Sequence, residues 1–163
     1  SARTSLMAAT DTLYWRLKEA VRQRIITILP DSDAAALAVG SRCYSDIVPD
    51  ENQASFPCVF LTLMDSAEEE FGGTTEHHYT WLPVGVFLAD RHGAFRTERE
   101  ALYRRWRQAV RDAFHEQRQP SAVDEVQWCV AQPQKVFDTA LPQYQYLVSG
   151  LVLRFFVRED RDA

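Results

Sequence analysis

The sequence predicts an α+β fold, namely a mainly antiparallel four-stranded sheet with two helices on one face and a long β-hairpin arm. Two segments carry apolar residues at helical spacing, four others are typical of strands, and the order is helix, two strands, helix, two strands. An acidic loop containing Gly-Gly, Ala67 to Glu76, separates the first two strands. The last strand, Tyr144 to Val157, alternates cleanly between its two faces.

The size and composition of the chain limit the possible classes of protein. A length of 163 residues favours one domain, and a hydrophobic content of 46% is enough for a buried core. We expect a flexible N-terminal arm at 1–9, a single α+β domain at 10–158 and a charged C-terminal tail at 159–163. The formal net charge of −5 argues against a globally basic nucleic-acid binder. No signal peptide or membrane-spanning stretch is recognisable, so we expect synthesis in the cytoplasm and no membrane contact.

The first helix is predicted from Thr10 to Leu29. Its apolar residues recur at helical spacing until Pro30, at Leu13, Leu17, Ala20, Val21, Ile25 and Ile28. Its basic residues are expected on the solvated face, at Arg16, Lys18, Arg22 and Arg24. Farther along the chain, Arg42 to Val48 can form a short strand.

The first two main strands are predicted at Cys58 to Met64 and at His77 to Leu88. The first is apolar on both faces, as in a well-covered strand, and the second is rich in strand-forming residues. Gly72 and Gly73 between them predict a turn. Pro83 predicts a bulge or an edge position, and the hairpin arm is expected to extend beyond the sheet from which it begins.

The second helix is predicted from Thr97 to His115, and a less regular strand from Val123 to Val136 follows it. In the last strand we expect the core face to carry Leu147, Ser149, Leu151, Leu153, Phe155 and Val157. The opposite face carries Tyr146, Val148, Gly150, Val152, Arg154, Phe156 and Arg158. This second face is either a subunit contact or is covered by loops or the N-terminal arm, and the sequence leaves both possibilities open.

The sequence contains no recognisable catalytic motif. It has neither a G-x-S-x-G nucleophile motif nor a glycine-rich phosphate loop. His77 and His78 are adjacent in a predicted strand and point to opposite faces, so they cannot bind one metal ion together. The cysteines have no metal-ligand spacing and are expected to be reduced and buried, at Cys43, Cys58 and Cys129. We therefore predict no enzyme, no cofactor and no metal site.

The second helix is rich in arginine, notably at Arg104, Arg107 and Arg111. The preferred interpretation is a solvated helix with intrahelical ion pairs. A phosphate-binding face is a second possibility. A third is that these arginines contact an acidic surface of a neighbouring subunit, such as the loop at Glu68 to Glu70.

The whole pattern resembles the tail terminator family of long-tailed bacteriophages, and also the neck or tail-completion proteins that share its fold. The matching features are the opening helix, the strand Phe56-Pro57-Cys58-Val59-Phe60-Leu61 after a polar loop, and the long arm to Trp81. They continue with the second helix and the closing strand, Tyr146 to Val157.

This resemblance implies a structural virion protein located in the tail or neck. Copies of the chain would form a ring, typically six-fold, that caps the tail tube and meets the head–tail connector. Genomic DNA would pass through without sequence-specific binding. The family has no catalytic residues, and the expected subunit or tube contacts are Glu68, Glu69, Glu70, Phe71, Gly72, Gly73, His77, His78, Tyr79, Arg104, Arg107 and Arg111.

Two alternatives remain beside the tail terminator. Within the same class, the chain can be a neck or tail-completion protein that joins head and tail. From another class, it can be a small intracellular ligand-binding or enzymatic α+β domain. Oligomerisation or binding to tube ends would favour the first class, and a ligand-dependent rise in melting temperature would favour the second.

Overall fold

The computed structural model describes residues 12–28, 42–45, 57–63, 71–73, 76–91, 97–133 and 146–160. Within them the order is α1 (Leu13–Ile28), β1 (Cys43–Tyr44), β2 (Cys58–Leu63), β3 (Phe71–Gly73), β4 (His77–Arg91), α2 (Thr97–Phe114), β5 (Val126–Pro133) and β6 (Tyr146–Asp160). The predicted α+β class with two helices is confirmed. The predicted N-terminal arm at 1–9 and the acidic residues Glu68, Glu69 and Glu70 lie outside the described residues.

The sheet is mixed and has six strands, so the prediction of four antiparallel strands is incomplete. The strand order is β1-β2-β4-β6-β5, with β3 beside β4. The two additional strands are short. β1 forms within the segment where a short strand was expected, and it pairs with β2 in parallel through Cys43↔Val59 and Tyr44↔Phe60.

The third strand accounts for the glycine pair. Gly72 and Gly73 lie in β3 and face Tyr79 and His78 of β4, so the prediction of a Gly-Gly turn is wrong. The chain reverses direction after Gly73, and β3 occupies the same side of β4 as β2 does. Glycine adopts extended backbone angles as readily as turn angles, which is why the pair alone does not identify a turn.

The longest pairing of the fold joins β4 and β6. These antiparallel strands are paired from His77↔Asp160 to Arg91↔Tyr146, over the full length of both. The predicted hairpin arm is therefore not a free projection, because β6 accompanies β4 to its first residue. The last strand also continues past the predicted end at Val157, as far as Asp160.

Pro83 occupies an interval between two neighbouring strands. On the side of β4 away from β6, β2 faces residues 84–89 and β3 faces residues 78–80, so neither faces 81–83. In β5, the carbonyl of Cys129 and the amide of Ala131 point away from β6. Because backbone groups alternate in direction along antiparallel strands, the register from β5 through β6 to β4 makes the nitrogen of Pro83 point away from β6 and into this interval. A proline is tolerated there because no ladder bond requires its missing N–H.

The main core lies between the two helices and one face of the sheet. Residues Leu151, Leu153, Phe155 and Val157 of β6 are all buried in it, which confirms the predicted core face over this part of the strand. The ring of Phe155 meets that of Phe114 of α2 edge to face, with centroids 6.2 Å apart. Each fully buried side chain of this size contributes about 1.5–3 kcal/mol of hydrophobic stabilisation.

Two basic residues attach α1 to the edge of the sheet. Lys18 donates a hydrogen bond to the carbonyl oxygen of Ser45 at 3.0 Å, and Arg22 donates one to that of Cys43 at 2.7 Å. Lys18 is only 7% exposed, so its expected position on the solvated face is wrong. Its long apolar stem is buried while its ammonium reaches a carbonyl acceptor, which compensates the lost hydration.

The opposite face of the sheet is covered over part of its length. Cys58, Phe60, Ala89 and Val148 form a second buried cluster there. The ring of Phe87 packs against Phe60 with centroids 5.3 Å apart, and it also covers Gly150. Toward the beginning of β4 and the end of β6 this face is more exposed, and aromatic residues occupy it.

Candidate functional site

The three arginines of α2 line one cavity, which we call the arginine groove. It has a volume of about 330 Å³ and lies between α2, the end of β5 and β6. Its lining consists of Arg104, Arg107, Gln108, Arg111, Ala131, Pro133 and Leu151. The spacing of three and four residues places the arginines on one side of the helix, as the sequence indicates. The apolar part of the lining comes from the sheet, and only the fold brings it there.

Arg107 forms the fixed centre of the groove. Its guanidinium donates hydrogen bonds to the hydroxyl of Ser149 at 3.0 Å and to the carbonyl oxygen of Gly150 at 2.6 Å. These bonds attach α2 to β6 and hold the charged group at one position. Arg107 is thus neither fully solvated nor limited to intrahelical contacts, which corrects the preferred interpretation for this residue.

Arg104 and Arg111 flank this centre and have exposed ion pairs on their own helix. Arg104 lies 3.3 Å from the carboxylate of Glu100, and Arg111 lies 3.2 Å from that of Asp112. The preferred interpretation of intrahelical pairs is confirmed for these two residues. Exposed pairs of this kind stabilise a fold by at most about 1 kcal/mol each.

The electrostatic environment of the groove is positive. Burial lowers the pKa of Arg107 below its ordinary value, and the neighbouring charge of Arg104 lowers it further. Both effects oppose a positive charge at this place, although an arginine remains protonated at neutral pH. A negatively charged group in the groove would reduce the repulsion between the guanidinium groups.

The other predicted contacts lie at the beginning of β4, and we call this region the hairpin end (residues 71–73, 76–80 and 157–160). Here the Nδ1 atom of His77 lies 3.0 Å from a carboxylate oxygen of Asp160. The ring of Tyr79 stacks on that of Phe156 with centroids 5.5 Å apart. His77 and His78 are consecutive in β4 and so point to opposite faces of the sheet, as predicted.

The structure does not bring the arginine groove and the hairpin end together within one chain. Leu151 lines the groove, whereas Glu159 pairs with His78 at the hairpin end. Both residues belong to β6, and the distance from Leu151 to Glu159 is about 26 Å at roughly 3.3 Å per residue. The predicted contact residues therefore form two separate surfaces.

An aromatic patch lies on the face of the sheet opposite the helices, the face that the sequence predicts to be a subunit contact or a covered surface; of its residues, the sequence places Arg154 and Phe156 there. It consists of Trp81, Trp128, Arg154 and Phe156, and Trp128 is 42% exposed. Trp81 lies 5.1 Å from Phe156 by ring centroids, and the guanidinium of Arg154 lies 5.2 Å from the Trp81 ring. An irregularity between Val126 and Trp128 places Trp128 opposite Phe156. A bulge shifts the strand phase, so simple alternation could not locate Trp128.

Several side chains of reactive type are buried in the described part of the chain. Burial raises the pKa of the Cys43 and Cys58 thiols to about 12, and it raises the pKa of Cys129 as well. In the buried interior, the hydroxyl of Tyr103 donates a hydrogen bond to Asp90. Within the described ranges, no group of three His, Cys, Asp or Glu side chains is placed to hold a metal ion. No helix in the described part is long and apolar enough to cross a bilayer.

Comparisons with known proteins give similarity in structure and none in sequence. The sequence matches no protein-family model, and no curated protein sequence gives a significant match. Among solved structures, the chain is similar to one from the virion of a native gene transfer agent particle, with a TM-score of 0.47 and 14% sequence identity. The match covers 89% of this chain and 99% of that one. The proposals below rest on the sequence and on the contacts described above.

Proposed function

We propose that the chain is a structural virion protein, the subunit of a tail terminator ring. In this proposal, copies of the chain cap the end of a phage tail tube and present the other side of the ring to the head–tail connector. The element order that resembles the tail terminator family is present in the fold, with α1 before the first strands and α2 between the two strand pairs. Both helices pack on one face of the sheet.

The observation that carries the proposal is the separation of two unlike surfaces on one subunit. Along β6, Leu151 of the arginine groove lies about 20 Å from Val157, the first residue of the hairpin end on this strand. A ring requires heterologous contacts, in which one surface of a subunit binds a different surface of the next. Two unlike surfaces at different positions along one strand pair satisfy this requirement.

The proposal is tested by negative-stain electron microscopy of the purified chain, alone and mixed with tail tubes of the same virus. Rings, or caps at tube ends, are the expected result. Tubes without the added chain are the control for ends that are already capped. Caps found only on filled heads would instead make the chain a neck or tail-completion protein. Single globular particles in every mixture would overturn the ring.

A second candidate function is supported by the arginine groove itself. Its volume of about 330 Å³ lies at the lower end of the range for small-molecule pockets. A small ligand-binding domain would use the groove for an anionic compound. Phosphate and dicarboxylic acids should then raise the melting temperature in a concentration-dependent way, with the chain remaining monomeric. A tail terminator subunit predicts assembly into rings instead of a monomer.

A further inference from the structure

The arginine groove has the chemistry of a carboxylate-binding site. Guanidinium groups bind carboxylates through two parallel hydrogen bonds, and Arg104, Arg107 and Arg111 place three such groups along one cavity. The rest of the lining is largely apolar, with Ala131, Pro133 and Leu151. Charge interactions are stronger beside such surfaces than in open water.

The present partners of the outer arginines are readily exchanged. The side chains of Arg104 and Arg111 are 63% and 55% exposed, and each forms its pair with a neighbour on the same helix. Such pairs contribute little, so replacing them with carboxylates of another molecule is inexpensive. Arg107 needs no rearrangement, because Ser149 and Gly150 already hold it in place.

The chain itself contains a matching acidic segment. Glu68, Glu69 and Glu70 form its longest run of consecutive acidic residues. They immediately precede Phe71, the first residue of β3 at the hairpin end. Three consecutive carboxylates provide the charge that three arginines in one groove can neutralise.

The acidic segment cannot reach the fixed centre of the groove in its own chain. Phe71 faces Thr80, which faces Val157, and Val157 is seven residues along β6 from Gly150, the residue that holds Arg107. Strand rise and strand spacing then place Phe71 about 25 Å from Gly150. Glu68 is three residues from Phe71, so its backbone can extend about 11 Å from it and its side chain adds about 5 Å. A contact between Arg107 and Glu68 must therefore join different molecules.

From this geometry we propose that the arginine groove binds the segment Glu68–Glu70 of a second copy of the chain. The proposal rests on the proposed ring and names the contact that joins its subunits head to tail. Because the groove and the acidic segment are different parts of the chain, each copy accepts one neighbour at the groove and offers its acidic segment to another.

Charge reversal on each side of the contact tests this proposal. The first variant is Arg104→Glu, and its matched control is Arg105→Glu, which changes the charge equally at an exposed residue that does not line the groove. The second variant replaces Glu68, Glu69 and Glu70 by Lys. Melting temperatures establish that each variant is folded. Substitution is preferable to deletion of the whole loop, since deletion would also remove β3.

Assembly is measured by analytical ultracentrifugation over a range of concentrations and salt. Each of the two variants should raise the concentration for half-assembly by about tenfold or more, and the control by less than about threefold. An equal mixture of the two variants should recover part of the lost assembly. In that mixture the unchanged acidic segment of the first variant meets the unchanged groove of the second. The recovery is partial because the groove of the first variant still carries Arg107 and Arg111, which repel the lysines of the second. Added salt should weaken assembly of the unmodified chain.

The outcomes separate this inference from the proposed function. If the unmodified chain assembles and Arg104→Glu assembles equally well, the groove contact is wrong while the ring stands. If the unmodified chain remains monomeric even with tail tubes, the ring fails and this contact fails with it. Loss of double-stranded DNA binding in Arg104→Glu, with assembly unchanged, would make the groove a phosphate site and overturn the proposal.

Discussion

At the scale of single residues, the fold depends on a few positions where a neighbouring side chain limits the size or polarity that the residue can have. Gly150 is the clearest of them. A Cβ atom built on Gly150 would lie 2.5 Å from two ring atoms of Phe87, whereas one built on Gly72 meets nothing within 4 Å. Phe87 is itself stacked on Phe60, so its ring has little freedom to move away.

Substitution of Gly150 by Ala should therefore destabilise the protein. We expect a loss of about 1–3 kcal/mol in the free energy of unfolding, the usual cost of forcing a methyl group into a packed site. Gly72→Ala is the matched control and should change the free energy by no more than about 0.5 kcal/mol. Urea unfolding followed by circular dichroism measures both. Equal effects of the two substitutions would show that Phe87 moves aside freely.

The buried thiols give a prediction about reactivity and pH. The pKa of Cys43 and of Cys58 is raised from 9.0 to about 12 by burial. At pH 8 the folded protein should react with iodoacetamide far more slowly than the protein in concentrated urea. Between pH 9 and 12 the thiols ionise only when unfolded, so the free energy of unfolding should fall as the pH rises through this range. Rapid labelling of the folded chain at pH 8 would contradict this burial.

At the scale of elements, the outer edge of β5 is closed by the segment that precedes it. The amide of Glu116 donates to the carbonyl oxygen of Cys129 at 2.8 Å, and the amide of Ala131 donates to the Nδ1 atom of His115 at 3.0 Å. Pro133 follows on the same side of the strand and has no amide hydrogen. An edge strand whose outward groups are occupied cannot easily pair with another chain.

Removing the acceptor of His115 should open this edge. His115→Leu leaves the amide of Ala131 without its partner, while His115→Asn retains a short side-chain acceptor. We expect amide hydrogen exchange at Ala131 to be faster by roughly tenfold in His115→Leu, corresponding to about 1–2 kcal/mol for a lost hydrogen bond. The Asn variant should stay closer to the unmodified protein. Unchanged exchange in both variants would mean that another group protects Ala131.

The elements that the sequence predicts best are those with a regular pattern of apolar residues. Periodicity located α1, α2 and the core face of β6, because those patterns depend on residues close in sequence. It could not place Gly72 and Gly73 in β3, since glycine has no side chain and leaves no alternating pattern to recognise. Local patterns also predict only part of the site. Helical spacing grouped the arginines, but the contacts of Arg107 with β6 arise only in the folded chain.

At the scale of the whole molecule, one core connects every major element. The main buried cluster draws residues from both helices and from β1, β2, β4, β5 and β6. The ladder between β4 and β6 links the hairpin end to the region of the arginine groove. Nothing in this arrangement divides the described residues into separately packed units.

The protein should therefore unfold in a single cooperative step. Its four tryptophans are distributed over α1, β4, α2 and β5. Tryptophan fluorescence and far-ultraviolet circular dichroism should give coincident transitions in urea at a concentration where the chain is monomeric. Two separated transitions would show that the hairpin end unfolds independently of the helices.

The interval beside Pro83 has a consequence for engineering. Pairing with β4 sets the register of β2 and of β3. The length of the chain that joins β2 to β3 therefore changes neither register. Lengthening that connection carries a closure cost of only about 0.6 kcal/mol per doubling. Residues 64–67, ahead of the acidic segment, are thus a suitable place to insert an epitope or a labelling tag. An insertion there lengthens the connection without moving β2 or β3 along β4.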